Sequence, residues 1–225
     1  MIMRSAIAAL LLVGPALAQE KVFDFNGITN IEVRNGITVN VIQGDKQSIV
    51  GTARSGNVEN FRLQRFGDWL AVNRNTRWFI FPYGRQDDLV LTVTVPDIRA
   101  LKAYDAASVT AACFTGDRIR AEALDGGTIT LTDLSFAEVS VYATDEGKLT
   151  VTGICDLLDA EAITSAHVDA AKLACIDAKT TTLSDGSITA SASGLALIDD
   201  SAGGTITLSG GAQIVDALPE TETED

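Results

Sequence analysis

Histidine occurs once in the 225 residues, at His167, and cysteine three times, at Cys113, Cys155 and Cys175. A zinc centre needs three or four well-placed His, Cys or carboxylate ligands, and this supply is too thin. A Cys/His nucleophile pair would also need an orienting group and oxyanion donors, and neither is visible. Positive charge is scarce: 17 Lys and Arg stand against 30 Asp and Glu, a formal net charge of −13. Like charge then argues against nucleic acid as a partner and against a bare anionic membrane surface. Helical periodicity is missing, because Gly and Asp interrupt the chain too often for helices of useful length. Beyond the first 18 residues no apolar run reaches bilayer length, so no membrane span is expected.

What is present is a repeat. Similar phrases recur: Tyr104-Asp105-Ala106-Ala107-Ser108-Val109-Thr110, Leu124-Asp125-Gly126-Gly127-Thr128-Ile129-Thr130 and Leu183-Ser184-Asp185-Gly186-Ser187-Ile188-Thr189. The anchor residues Val109, Ile129, Leu149, Val168, Ile188 and Ile206 follow at spacings of 20, 20, 19, 20 and 18. A fixed period near 20 marks a solenoid. Within each period, runs such as Val139-Ser140-Val141-Tyr142-Ala143 alternate apolar and polar residues, the pattern of half-buried strands. The expected fold is all-β, a parallel β-helix with about 18–20 residues per coil and an N-terminal strand and hairpin region. A leucine-rich repeat would need regular Leu and an Asn or Cys ladder, which are not found. A β-sandwich fits the short strands but not the period.

The first 18 residues read as a signal peptide: Arg4, an apolar run from Ala6 to Val13, and Ala16-Leu17-Ala18 before the cut. Removal leaves 207 residues, takes Arg4, and moves the formal charge from −13 to −14. The chain is expected to be exported in a bacterium, to the periplasm, the outer surface or the medium. The divisions expected are 1–18 signal peptide, 19–97 N-terminal β region with the first coil or coils, 98–211 β-helix repeats, and 212–225 acidic disordered tail. Cys155 and Cys175 lie 20 residues apart, one coil, and adjacent rungs about 4.8 Å apart lie within disulfide reach. A bridge there and three buried small thiols are both open.

Phe61–Phe66 and Trp69–Asn73, joined by Gly67-Asp68, read as a hairpin. The least ordinary stretch follows: Arg77-Trp78-Phe79-Ile80-Phe81-Pro82-Tyr83-Gly84-Arg85. Trp, Tyr and Arg are enriched at interaction hot spots, so Arg77, Trp78, Phe81, Tyr83 and Arg85 are the ligand-binding candidates. The competing reading is that the aromatics cover the open end of the solenoid. Asp105, Asp125, Asp145 and Asp185 recur at similar coil positions. Stacked, they would form an acidic ladder of calcium type, although Asp also favours turns for backbone reasons. No catalytic residue, metal centre or cofactor is expected.

The opening Phe25-Asn26-Gly27-Ile28-Thr29-Asn30-Ile31-Glu32-Val33, the phrase Ile37-Thr38-Val39-Asn40-Val41-Ile42-Gln43-Gly44-Asp45 and the junction Leu91-Thr92-Val93-Thr94-Val95-Pro96-Asp97-Ile98-Arg99-Ala100-Leu101 resemble the putative auto-transporter adhesin head GIN domain family. The likeness covers nearly all of the chain after residue 18. It implies a right-handed parallel β-helix, exported, with no established enzymatic activity and no functional residues to carry over. The family's Gly-Ala-Gly phrases are mostly Asp-Gly-Gly, Asp-Glu-Gly or Ser-Ala-His here.

The expected function is therefore a non-catalytic, adhesin-like binding or structural module of the envelope. Its partner would be an unidentified glycan or protein. A polysaccharide lyase or hydrolase and a periplasmic scaffold are the alternatives. The oligomeric state is not legible.

Overall fold

The computed structural model describes residues 19–75 and 87–216. In chain order the strands are β1 (Gln19–Phe23), β2 (Asn30–Val33), β3 (Thr38–Gln43), β4 (Ser48–Ser55), β5 (Phe61–Phe66), β6 (Trp69–Arg74), β7 (Asp88–Val95), β8 (Ala100–Ala103) and β9 (Ser108–Ala112). The longer repeats follow as β10 (Thr115–Ala123), β11 (Thr128–Ala143), β12 (Lys148–Ile163), β13 (His167–Leu183), β14 (Ser187–Ala192), β15 (Leu195–Ala202), β16 (Thr205–Ser209) and β17 (Gln213–Asp216). Pairing from coil to coil is parallel, and the molecule is a β-solenoid.

Two ladders run its length. The first holds β5, β6, β2, β8, the C-terminal parts of β10 to β13, then β15 and β17. The second holds β1, β4, β7, β3, β9, the N-terminal parts of β11 to β13, then β14 and β16. A shorter third face is made by the remaining segments of β10 to β14. Val109, Ile129, Leu149, Val168, Ile188 and Ile206 are neighbours in one column of the second ladder. The period of 20 thus arises because every coil must place one β-branched or leucine side chain on the next. All but Ile206 are fully buried.

The corner between first and second ladders takes two successive residues with positive φ: Asn35-Gly36, Asp105-Ala106, Asp125-Gly126, Asp145-Glu146, Thr164-Ser165 and Ser184-Asp185. Asn, Asp and Gly tolerate this backbone best, which explains the turn phrases. Asp105, Asp125 and Asp145 share the first corner position, whereas Asp185 occupies the second, after Ser184. Asp185 therefore does not share the corner position of the other three. At the corner after the second ladder, Cys113 has φ 63° and is exposed, not buried among its fellows. Cys155 and Cys175 face each other on adjacent rungs and are bridged, with Cα atoms 4.5 Å apart.

Spatial order departs from chain order at the N-terminal end. The coil formed by β2 and β3 is not the last rung; β6 and β7 lie beneath it. Beyond these, β4 and β1 extend the second ladder antiparallel, and β5 extends the first. In the described residues the cover of this end comes from β1, β4 and β5. At the other end, the acidic tail begins later than the composition suggests. Residues 213–216 form β17, because Ile214 and Val215 fall into register with Ala196 and Leu197.

Candidate binding surface

The N-terminal third of the first ladder gathers outward side chains that the chain holds far apart. Glu32 is in register with Ala71 on one side and with Lys102 on the other, and Lys102 continues to Glu122 and Tyr142. Lys102 Nζ sits 5.3 Å from the centre of the Trp69 ring and 2.8 Å from Glu122 Oε2. Arg120 Nε donates to Glu122 Oε1 at 2.5 Å. The Glu122 side chain is only 9% exposed, so this carboxylate is sheltered and shared between two cations. Trp69 and Lys102 thus hold each other through a cation–π contact with a fixed counter-charge.

Two residues further along the β2 and β8 rungs, the Arg34 guanidinium lies 4.1 Å from the centre of the Tyr104 ring while its Nε donates to Glu32 Oε1 at 2.7 Å. The hydrogen bond it donates to Glu32 holds the Arg34 guanidinium above its ordinary pKa, partly opposed by burial. Burial pushes the Tyr104 hydroxyl above its ordinary value, with Lys102 pulling the other way. A groove of about 350 Å³ opens beside this pair, lined by Glu32, Arg34, Arg62, Gln64, Phe66 and Asn73 among others. Arg62 makes no ion pair among the described residues, and Phe66 is 64% exposed. Flat rings beside guanidinium forks and amide groups suit a polyhydroxylated ligand, which needs apolar stacking and bidentate hydrogen bonds together.

Arg77, Trp78, Phe81, Tyr83 and Arg85 lie outside the described residues. The two feet of their segment are described, and both stand at the corner next to Arg34 and Tyr104. Asn75 N donates to Asn60 O at 2.8 Å. Arg74 spans the gap, donating from Nη1 to Asp87 O at 3.3 Å and from Nη2 to Gly36 O at 3.0 Å. Burial lowers the Arg74 pKa from its ordinary value, and its Nε is buried without a partner among the described residues. Asn60 Nδ2 donates to the Asp87 carboxylate. Gly56, at φ 89°, has no room for a side chain, since a Cβ there would fall 1.7 Å from Asp87 Oδ1. Each foot is therefore held by hydrogen bonds to the rungs around it.

A second groove, about 610 Å³, lies at the base of the third face. Asp97, Asp117, Arg99 and Arg118 line it, with Phe136 below Gly116. Arg99 Nε reaches Asp97 at 3.3 Å and Arg118 reaches Glu138 at 2.5 Å. The corner aspartates have a backbone role: Gly36 N donates to Asp105 O at 2.9 Å, Ala106 N to Asp125 O at 3.2 Å and Gly126 N to Asp145 O at 2.8 Å. Among the described residues no group of three or more His, Cys, Asp and Glu side chains could hold a metal ion. None of the helices among them is long and apolar enough to cross a membrane.

The Trp69, Tyr104 and Arg62 surface is not singled out by sequence motif. Its signal is weak: outward residues such as Lys102, Glu122 and Tyr142 recur at 20, but Trp69 and Glu32 enter from rungs placed out of chain order.

A family model described as putative auto-transporter adhesin, head GIN domain, matches residues 25–212. The fold is similar to that of a putative adhesin from Bacteroides fragilis, at 13% identity and a TM-score of 0.70, covering 90% of this chain and 99% of that one. A putative lipid binding protein from Parabacteroides distasonis superposes at 13% identity and 0.61, covering 89% and 97%. A putative adhesin from the same species superposes at 17% identity and 0.59, covering 91% and 94%. At such identities the likeness concerns the fold. No curated protein matches the sequence.

Proposed function

Because the chain belongs to the putative auto-transporter adhesin head GIN domain family, we propose that it is an exported, adhesin-like binding module that takes a surface or envelope glycan at the N-terminal end of its first ladder. The observation that carries this is one of place. The segment containing Arg77, Trp78, Phe81, Tyr83 and Arg85 leaves and rejoins the solenoid beside the groove of Arg34, Arg62 and Phe66. Both contain rings and arginines. Export rests on Arg4, the apolar run and Ala16-Leu17-Ala18.

The test is a binding screen of residues 19–225 against envelope glycans, lipid vesicles and an envelope extract. It is run beside a Trp78→Ala, Tyr83→Ala double variant and an Arg62→Ala variant, both checked for a native circular dichroism spectrum. Glycan binding that weakens by roughly tenfold or more in each supports the reading. Binding that neither variant changes moves the site elsewhere and defeats it.

A polysaccharide-acting enzyme is the second reading, supported by the two carboxylates Asp97 and Asp117 in the 610 Å³ groove. A carboxylate pair is the minimum such hydrolysis needs. Release of new sugar ends from the same glycans, lost in an Asp97→Asn, Asp117→Asn variant, would favour it.

A further inference from the structure

The two ends of the solenoid are finished differently, and they match each other. Counted from the coil of β2 and β3, the first ladder has two further strands on the N-terminal side, β6 and β5, and the second has three, β7, β4 and β1. On the C-terminal side the first ladder has seven, ending in β17, and the second has six, ending in β16. The second ladder thus stands one strand proud at one end, and the first ladder one strand proud at the other. A copy placed on a copy closes both steps at once.

Among the described residues the C-terminal rung has no neighbour beyond it. Among the described residues β16 pairs only with β14 and β17 only with β15, so there each shows a row of N–H and C=O groups without a strand partner. Ile206 and Leu208, inward in their column, are only partly buried. Four of the large exposed apolar side chains sit on end strands: Val22 on β1, Phe66 on β5, and Ile214 and Val215 on β17. Nine residues of the given sequence follow β17. They hold Ala217, Leu218 and Pro219 and then four acids, with no alternating apolar residues to lie on Ile206 and Leu208.

Charge selects the occupant. Residues 19–103 contain eleven Lys and Arg and nine Asp and Glu; residues 104–225 contain five and twenty-one. The edge of β5 left unpaired among the described residues presents Arg62 and Arg65 and no acid, whereas β17 ends at Asp216 and is followed in sequence by the four acids. Two C-terminal ends would repel; a C-terminal and an N-terminal end attract.

We propose that the molecule associates head to tail with further copies of itself, β17 of one copy docking on β5 of the next and β16 on β1. The contact is heterologous and does not close, so repetition builds a linear filament. The strand directions make β17 against β5 antiparallel and β16 against β1 parallel, which continues both ladders through the junction.

Sedimentation of residues 19–225 over a wide concentration range tests this, with Ile214→Lys blocking the C-terminal end and Arg62→Glu, Arg65→Glu blocking the other. All three positions are exposed, and circular dichroism checks each variant's fold. The wild type should grow in mass with concentration and shrink as salt rises. Each variant alone should weaken association at least roughly tenfold, and their equimolar mixture should form a dimer and nothing longer. A wild type that stays monomeric overturns the proposal. So does a charge-reversed variant that still self-associates, which would signal a symmetric C-terminal pairing. Association that emerges only on deletion of residues 217–225 would make the tail the cover of that end and also overturn it.

Discussion

Single backbone positions set the shape of each coil. The first corner needs two residues in the left-handed region, and Asn, Asp, Ser or Gly stands there in most coils. The second corner needs one, supplied by Cys113, Asp133 and Gly153. Gly153 is the strictest, with φ 135° and a would-be Cβ only 2.1 Å from Leu134 O. Backbone on the adjacent rung cannot step aside without breaking the β11 to β12 register. Gly153→Ala is expected to cost about 2–4 kcal/mol through strain and displacement, read as a lower urea midpoint at unchanged slope. An unchanged midpoint would mean that this corner relaxes freely.

Strands gain stability only in pairs of coils, and β12 with β13 is the most firmly joined. The bridge between Cys155 and Cys175 ties two rungs already in register, both residues being buried and Cys155 in register with Phe136 on the rung before. Closing a 20-residue loop restricts the unfolded chain by about 3 kcal/mol. A Cys155→Ala, Cys175→Ala variant should lose about that much stability. The native chain should show one reactive thiol, the exposed Cys113, and three after denaturation with reductant. Three reactive thiols in the non-reduced, unfolded chain would contradict the bridge.

Across the whole molecule, stability is a chain of nearest-neighbour interfaces. Among the described residues the centre is bounded on both sides, the N-terminal end is covered by antiparallel strands, and the C-terminal rung has no neighbour. Thr182, close to that end, buries a hydroxyl with no partner among the described residues, a cost of about 1–3 kcal/mol. Amide exchange in dilute, salt-containing buffer should therefore be slowest in β11 to β13 and fastest in β16 and β17. Uniform protection along the solenoid would show that the coils open only together.

Period and patterning in the sequence determined the coil, its length, the inward column from Val109 to Ile206 and the residue types of the first corner, because each depends on one coil meeting the next at a fixed spacing. The family followed from the same order of short phrases. Tertiary structure decided what does not repeat. β6 and β7 lie beneath β2 and β3 although they come later in the chain, because strand edges pair where they are open and not where the sequence reaches them next. That inversion brings Trp69 to Lys102 and places the feet of the Arg77–Arg85 segment beside Arg34 and Tyr104. It likewise offsets the two ladders by one strand, which no periodicity could reveal, since a period describes the interior of a solenoid and not its ends.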